Sequence, residues 1–305
     1  MKSLDELFSA HPEKNRVESG TLYLTATPIG NTMDITARAL RILAGVSFIA
    51  AEDTRVTGRL LSFYGIEKPL LCYFEHNKHQ RGPLICERLL GGESCALVTD
   101  AGMPAISDPG QDLVALCRER GIPVRCVPGC CAAVTALSVS GFDLSSFMFY
   151  GFFPRENVER RRLLEKMRRG DTRTYALYES PKRIMELVDF FIESGAHCRM
   201  CLCNDLTKLH EMSFRGTPSE VKDQLLAKGS YDKGEYAVVV EIDEDYIFNK
   251  VEHTVSAEAM LVDAMVSGSL SAKDAVAAVL ADENNSYSKN ELKAAALNLK
   301  RLFGG

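Results

Sequence analysis

No run of about 18 apolar residues occurs in this 305-residue chain, so no segment has the make-up of a membrane-spanning helix. Positive charge is in deficit: the net charge of −5 gives no overall attraction to nucleic acid or to an anionic membrane. Any nucleic-acid partner therefore has to meet a local basic patch. The opening MKSLDELFSAHPEKNRVESG carries acids and lacks the apolar core of a signal peptide. It reads as a flexible lead-in over 1–19. The ten cysteines do not form a short, loop-rich framework. Scattered through apparent helices and strands, they read as apolar filler in a reducing cytosol, which makes the expected location cytoplasmic. Neither G-x-G-x-x-G nor G-x-x-x-x-G-K-[ST] is present, and TPIGN supplies one glycine where the dinucleotide fingerprint needs three. Solenoid repeats and low-complexity tracts are missing too. His197, Cys198, Cys201 and Cys203 lie on an alternating strand with no second cysteine pair, so they read as filler rather than metal ligands. Glu75-His76-Asn77 with His79 reads as loop, and no metal is expected.

What is present is a regular alternation. TLYLTAT, VSFIAAE, PLLCYF, ESCALVT and PVRCV are short apolar runs, each followed by a helix-compatible stretch. Near-continuous apolar strands alternating with helices indicate an α/β domain over 20–150, built on a parallel sheet covered on both faces. The pattern breaks near FYGFFPR. TRTYALYES, HCRMCLCND, EMSFRGT and EYAVVVEI then alternate with helical segments, marking a second α/β domain over 151–242. An acidic linker and three short amphipathic helices fill 243–305.

In an open parallel sheet, ligands bind beyond the carboxyl ends of the strands. Three loops at such ends are rich in small residues: Pro28-Ile29-Gly30, the stretch from Asp100 to Pro104, and Pro128-Gly129-Cys130-Cys131-Ala132. Small residues let backbone and ligand approach closely, and prolines stiffen the loops. One such loop is ordinary punctuation; three at one end of a sheet indicate a pocket. Glu52-Asp53, at the end of the second strand, leaves an ordinary nucleotide-binding reading open.

TATPIGN, AAEDTR, TDAGMPAISDPG, PGCCA, ESPKR and LTKLHE, in this order and spacing, resemble the RsmI family. These are bacterial ribose-2′-O-methyltransferases of small-subunit ribosomal RNA within the tetrapyrrole methylase superfamily. The likeness runs from about Gly20 to Ile242. It implies two α/β domains with S-adenosylmethionine in the cleft between them, and a homodimer. It implies cofactor contacts from Pro28, Gly30, Asp100, Ala101, Gly102, Met103, Pro104, Cys131 and Ala132. From the second domain it adds Tyr178, Leu206 and Thr207. Cys130-Cys131 stands where the family usually has Pro-Ser, Asn204-Asp205 where it has Arg-Glu, and Lys182 where a His is common.

Methylating a ribose hydroxyl needs alignment and gains from a nearby base or cation. Lys208, Glu179 and Asp53 are the catalytic candidates, with Arg55 and Glu211 close by in sequence. RNA needs positive charge. Window 155–169 holds Arg155, Arg160, Arg161, Arg162, Lys166, Arg168 and Arg169 against Glu156, Glu159 and Glu165, seven minus three, or +4. Lys182 and Arg183 extend that patch, Arg55 is a further RNA-contact candidate, and Phe152 and Phe153 stand ready to stack on a base. The expected activity is methylation of a cytidine 2′-hydroxyl in the decoding region of 16S rRNA, within the assembled small subunit. The alternatives are a small-molecule, tetrapyrrole-like methylase and a non-catalytic cofactor-binding ribosome-assembly protein. The last fifty residues, with five basic and six acidic side chains from Ala257 on, are not a basic RNA arm.

Overall fold

The computed structural model of the chain describes residues 16–247, 256–282 and 287–303. Most of the expected lead-in and the middle of the expected linker lie outside them. The chain divides into two compact units, Met1–Tyr246 and Ile247–Gly305.

The larger unit holds two five-stranded sheets. The first is wholly parallel, with β1 (Leu22–Thr25), β2 (Phe48–Ala51), β3 (Leu70–Cys72), β4 (Cys95–Val98) and β5 (Val124–Val127) in the order β3-β2-β4-β1-β5. β2 and β4 are buried at every position. A strand covered on both faces needs an unbroken apolar run, which FIAA and CALV provide. The intervening helices are α1 (Ala37–Gly45), α2 (Thr54–Phe63), α3 (Lys78–Leu90), α4 (Gln111–Glu119) and α5 (Ala132–Ser140). Thr36 caps α1 by accepting from the Ala39 N–H, and Asp53 caps α2 by accepting from the Arg55 N–H.

The second sheet contains β6 (Phe147–Phe152), β7 (Thr174–Glu179), β8 (Cys198–Asn204), β9 (Met212–Gly216) and β10 (Tyr236–Ile242) in the order β6-β7-β10-β8-β9. Only β6 and β7 run parallel, and β6 carries an irregularity between Phe149 and Gly151. The helices α6 (Asn157–Arg169), α7 (Ile184–Glu193) and α8 (Pro218–Lys228) belong to this half. Helix α5, although it follows the last strand of the first sheet, packs against the second. Its Ala133, Ala136 and Leu137 share one buried cluster with Ala176, Cys201 and Val239. Ile29 and Leu206 join the same cluster, so the two sheets are held together by a continuous apolar joint.

The smaller unit contains α9 (Ala257–Gly268), α10 (Ala272–Leu280) and α11 (Lys289–Phe303), packed around Leu261, Ala275 and Leu292. Ser256 and Ser271 cap the first two.

Candidate active site

The parallel sheet has its topological switch point between β1 and β4. The connection after β1 leads towards β2, and the one after β4 leads across β1 to β5. The loops leaving these two strands therefore diverge and open a crevice. They are tied at the base: Thr27 and Gly102 exchange two backbone hydrogen bonds, 2.9 and 3.1 Å, and the Thr27 hydroxyl donates to the Thr99 carbonyl at 3.0 Å. The loop after β4 is tightly folded. Ala105 and Ser107 both have left-handed backbone, at φ 68° and 63°, which disfavours any side chain. A Cβ on Gly110, itself at φ 145°, would lie 2.9 Å from Leu97 and 3.2 Å from Ala105. This doubled-back path turns Ser107 and Asp108 towards the crevice.

The other wall comes from the second sheet. Together they enclose a cavity of about 370 Å³. From the first half, Ile29, Ala101, Gly102 and Met103, then Cys131 and Ala132, line it. Tyr178, Glu179 and Ser180 face it from the end of β7, with Leu206 and Glu235 to Ala237 from the loops around β8 and β10. Tyr178 ties the halves together by accepting from the Ala133 N–H at 3.1 Å, in the first turn of α5. Burial pushes its hydroxyl up to about 12, so it keeps its proton at neutral pH. A second tie closes one side: the Asn31 N–H donates to the Thr207 hydroxyl at 3.0 Å. Gly30 allows this approach, since a Cβ there would sit 2.8 Å from the Leu206 carbonyl. Asp205 and Thr207 both hold left-handed backbone in this short loop.

The electrostatics of the lining are one-sided. It includes three carboxylates, Asp108, Glu179 and Glu235, and no Lys, Arg or His. Two of the three are answered from outside. Glu179 is buried and meets Arg183 at 3.3 Å. Glu235 meets Lys208 at 2.8 Å, and Lys208 also grips Asp205 at 2.9 Å. Desolvation pulls the Lys208 ammonium down, but those two hydrogen-bonded carboxylates outweigh it and leave its proton held more tightly than usual. Among the described residues, Asp108 has no hydrogen-bond or ion-pair partner. Burial, with Glu52 and Asp100 nearby, pushes its carboxyl up to about 7. Burial also raises Glu52 and Asp100.

Of the residues singled out from sequence, Ala101, Gly102, Met103, Cys131, Ala132, Tyr178 and Leu206 line the cavity, as does Glu179. Gly30, Thr207 and Lys208 border it through the contacts above. Pro28 and Pro104 support the loops without lining it, and Pro104 is buried. Asp100 lies at the outer edge, its carboxylate accepting from the Asp53 N–H at 3.1 Å. Asp53 is locked to Arg55 at 2.6 Å, which holds its carboxyl well below the usual range. Asp108, Glu235 and Tyr236 were not singled out. Asp108 lies in the loop before α4, which begins at Gln111. An aspartate before a proline is pushed out of the helical region, and the Asp-Pro-Gly run carried that signal.

The basic segment is divided by its helix. Arg155, Arg161 and Arg162 are exposed, as is Lys182. Arg160 is not part of that surface. It is 5% exposed, paired with Glu186 at 2.7 Å and donating to the Pro154 carbonyl at 2.9 Å. Arg183 is likewise occupied by Glu179, Glu186 and Pro154. Phe153 is buried under Arg160, whereas exposed Phe152 lies at the cavity edge, 5.7 Å from the Tyr178 ring. Among the described residues no group of three or more His, Cys, Asp or Glu is gathered as a metal ion would need.

Comparison with known proteins bears on this arrangement. The profile of the Tetrapyrrole (Corrin/Porphyrin) Methylases matches residues 21–222. The chain is 44% identical over 228 residues to a ribosomal RNA small subunit methyltransferase I of Halalkalibacterium halodurans, covering 75% of this chain and 78% of that one. It is 40% identical over 278 residues to the protein of that name in Pasteurella multocida, covering 90% and 95%. Among solved structures, a cobalt precorrin-4 methyltransferase superposes with a TM-score of 0.55 at 17% identity, over 73% of this chain and 95% of that one. A Thermus thermophilus uroporphyrin-III C-methyltransferase bound to S-adenosylhomocysteine superposes with 0.51 at 15%, over 72% and 97%. At those identities the structural likeness speaks for the fold.

Proposed function

The chain belongs to the tetrapyrrole methylase family and, within it, to the ribosomal RNA small subunit methyltransferase I family, and from that premise we propose that it transfers a methyl group from S-adenosylmethionine to a ribose 2′-hydroxyl of a cytidine in the decoding region of 16S rRNA. The substrate is the assembled small subunit, and the enzyme acts in the cytoplasm as a homodimer. The observation that carries the reading is the cavity at the switch point, with acids in its wall and no basic side chain.

The cavity suits this donor on its own chemistry. Its volume falls within the range of small-molecule sites. Ile29, Met103, Leu206 and the Tyr178 ring give apolar surface for a flat base and a thioether-like chain. Uncompensated negative charge favours a cation. When bound, the donor supplies an electrophilic methyl group on a positively charged sulfur. The protein's own contribution is alignment: the Thr27–Gly102 tie stiffens one wall and the Asn31–Thr207 and Ala133–Tyr178 ties join it to the other, so an acceptor hydroxyl is held with little freedom left to lose. Lys208, doubly paired and fully protonated, is a positioning cation rather than a base. Exposed Arg155, Arg161, Arg162 and Lys182 supply phosphate contacts, which position RNA without reading sequence.

The test is transfer of labelled methyl from S-adenosylmethionine. Purified protein is offered 30S subunits, naked 16S rRNA or a tetrapyrrole. Label in a cytidine ribose of the 30S sample is the expected result. Label in the tetrapyrrole alone supports a small-molecule methylase, and label nowhere supports a non-catalytic assembly factor.

A further inference from the structure

We infer that Asp108 is the charge-responsive acid of the cleft: it gives up its proton when the sulfonium donor binds and takes the acceptor hydroxyl's proton as the methyl group leaves. This rests on the methyl-donor reading above and assigns a role to a residue that reading leaves unused.

Three observations carry it. First, among the described residues Asp108 is the one acid of the cavity wall with no cationic partner, since Arg183 answers Glu179 and Lys208 answers Glu235. A half-buried carboxylate with no partner is costly and needs a compensating charge. Second, its place is built rather than incidental. Left-handed Ala105 and Ser107 and the crowded Gly110 hold the loop in a conformation that side chains resist, and a Cβ on Gly151 of β6 would lie 3.3 Å from the Ser107 hydroxyl. Such strain persists where position matters. Third, the groups facing it are acids or neutral donors. Glu52 lies at the end of β2 and Asp100 after β4, with Tyr178 and Glu179 on β7 and Glu235 before β10. Among the described residues, no Lys, Arg or His lines the cavity beside Asp108.

The other candidates for a base are poorer. Asp53 is stabilised as an anion by Arg55, and Lys208 has no free electron pair while protonated. Asp108 titrates near neutrality, the range in which proton transfer is most effective. A cation in the cavity favours its ionised form. In the reaction the hydroxyl O–H bond breaks and its proton passes to the Asp108 carboxylate. The oxygen forms the new bond to the methyl carbon as the carbon–sulfur bond breaks, its electron pair staying on sulfur. The positive charge disappears from the cavity as the proton arrives, so Asp108 returns to the state it prefers in an empty cleft.

The test is calorimetry on full-length protein at pH 7 in buffers of different ionisation enthalpy, comparing S-adenosylmethionine with S-adenosylhomocysteine, which lacks the sulfonium charge. Wild type is expected to release about half a proton more with the former, the share held by a carboxyl that titrates near 7. Asp108→Asn should bind both ligands with that difference gone, since the ligands' own groups titrate equally in both proteins. Its single-turnover methyl transfer should fall about 10²–10⁴-fold. Carbon-13 NMR of the aspartate carboxyls in unaltered protein gives a reading independent of any variant: one carboxyl titrating near 7 should shift lower with S-adenosylmethionine and not with S-adenosylhomocysteine. Equal proton counts for the two ligands, no such carboxyl shift, or undiminished transfer by Asp108→Asn would overturn the inference and leave the methyl-donor reading standing. No heat with either ligand would overturn both.

Discussion

At the scale of single residues, the environment of Asp108 has a consequence for stability that needs no ligand. The folded protein holds this proton up to about pH 7, whereas the unfolded chain releases it near the ordinary value of 3.8. Between those values the folded state binds the extra proton, so stability falls as pH rises through that window and the loss is complete above it. Asp108→Asn carries no such loss. Its melting temperature relative to wild type should therefore rise from pH 4 to pH 8. Allowing for solvent screening of a half-buried group, the gain is about 1 kcal/mol, or roughly 2–4 °C. Thermal melts across that range check it, and a difference independent of pH would contradict it.

At the scale of elements, α5 and α6 show how function is written on a helix. Cys131 sits at the N-cap of α5 without a side-chain hydrogen bond to the first turn. Serine there supplies an acceptor, so Cys131→Ser should stabilise the protein by about 0.5–1 kcal/mol, read from chemical denaturation. Helix α6 is two-faced: Arg160 points inward to Glu186, while Arg161 and Arg162 face solvent. Reversing both outer charges should abolish labelling of rRNA and leave the heat of cofactor binding unchanged. Reversing Arg160 should instead lower the melting temperature, because it puts a buried carboxylate against Glu186. The strands of the parallel sheet were legible because burial on both faces demands unbroken apolar runs. The inner face of α6 was not, since a run of arginines looks the same whether one of them turns inward or not. The acids at Asp108 and Glu235 were hidden for a related reason: loop geometry decides which carboxylate meets the cavity, and composition does not record it.

At the scale of the whole molecule, the walls of the cleft are held by one apolar joint, in which α5 and Ile29 of the first half are buried against Ala176, Cys201 and Val239 of the second. Residues 16–146 and 147–247 made as separate chains should each be insoluble or molten, and mixing them should restore a cooperative melt. Two independently cooperative melts would show that the joint is dispensable. The sequence marked both sheets and the order of their motifs. It did not mark the joint, because AAVTALSVS is apolar and small on all sides and names no partner. That joint also bears on heredity. A helix that belongs by chain order to one sheet and by burial to the other passes every change it suffers to both, so a descendant cannot trade one half for another without rewriting its neighbour.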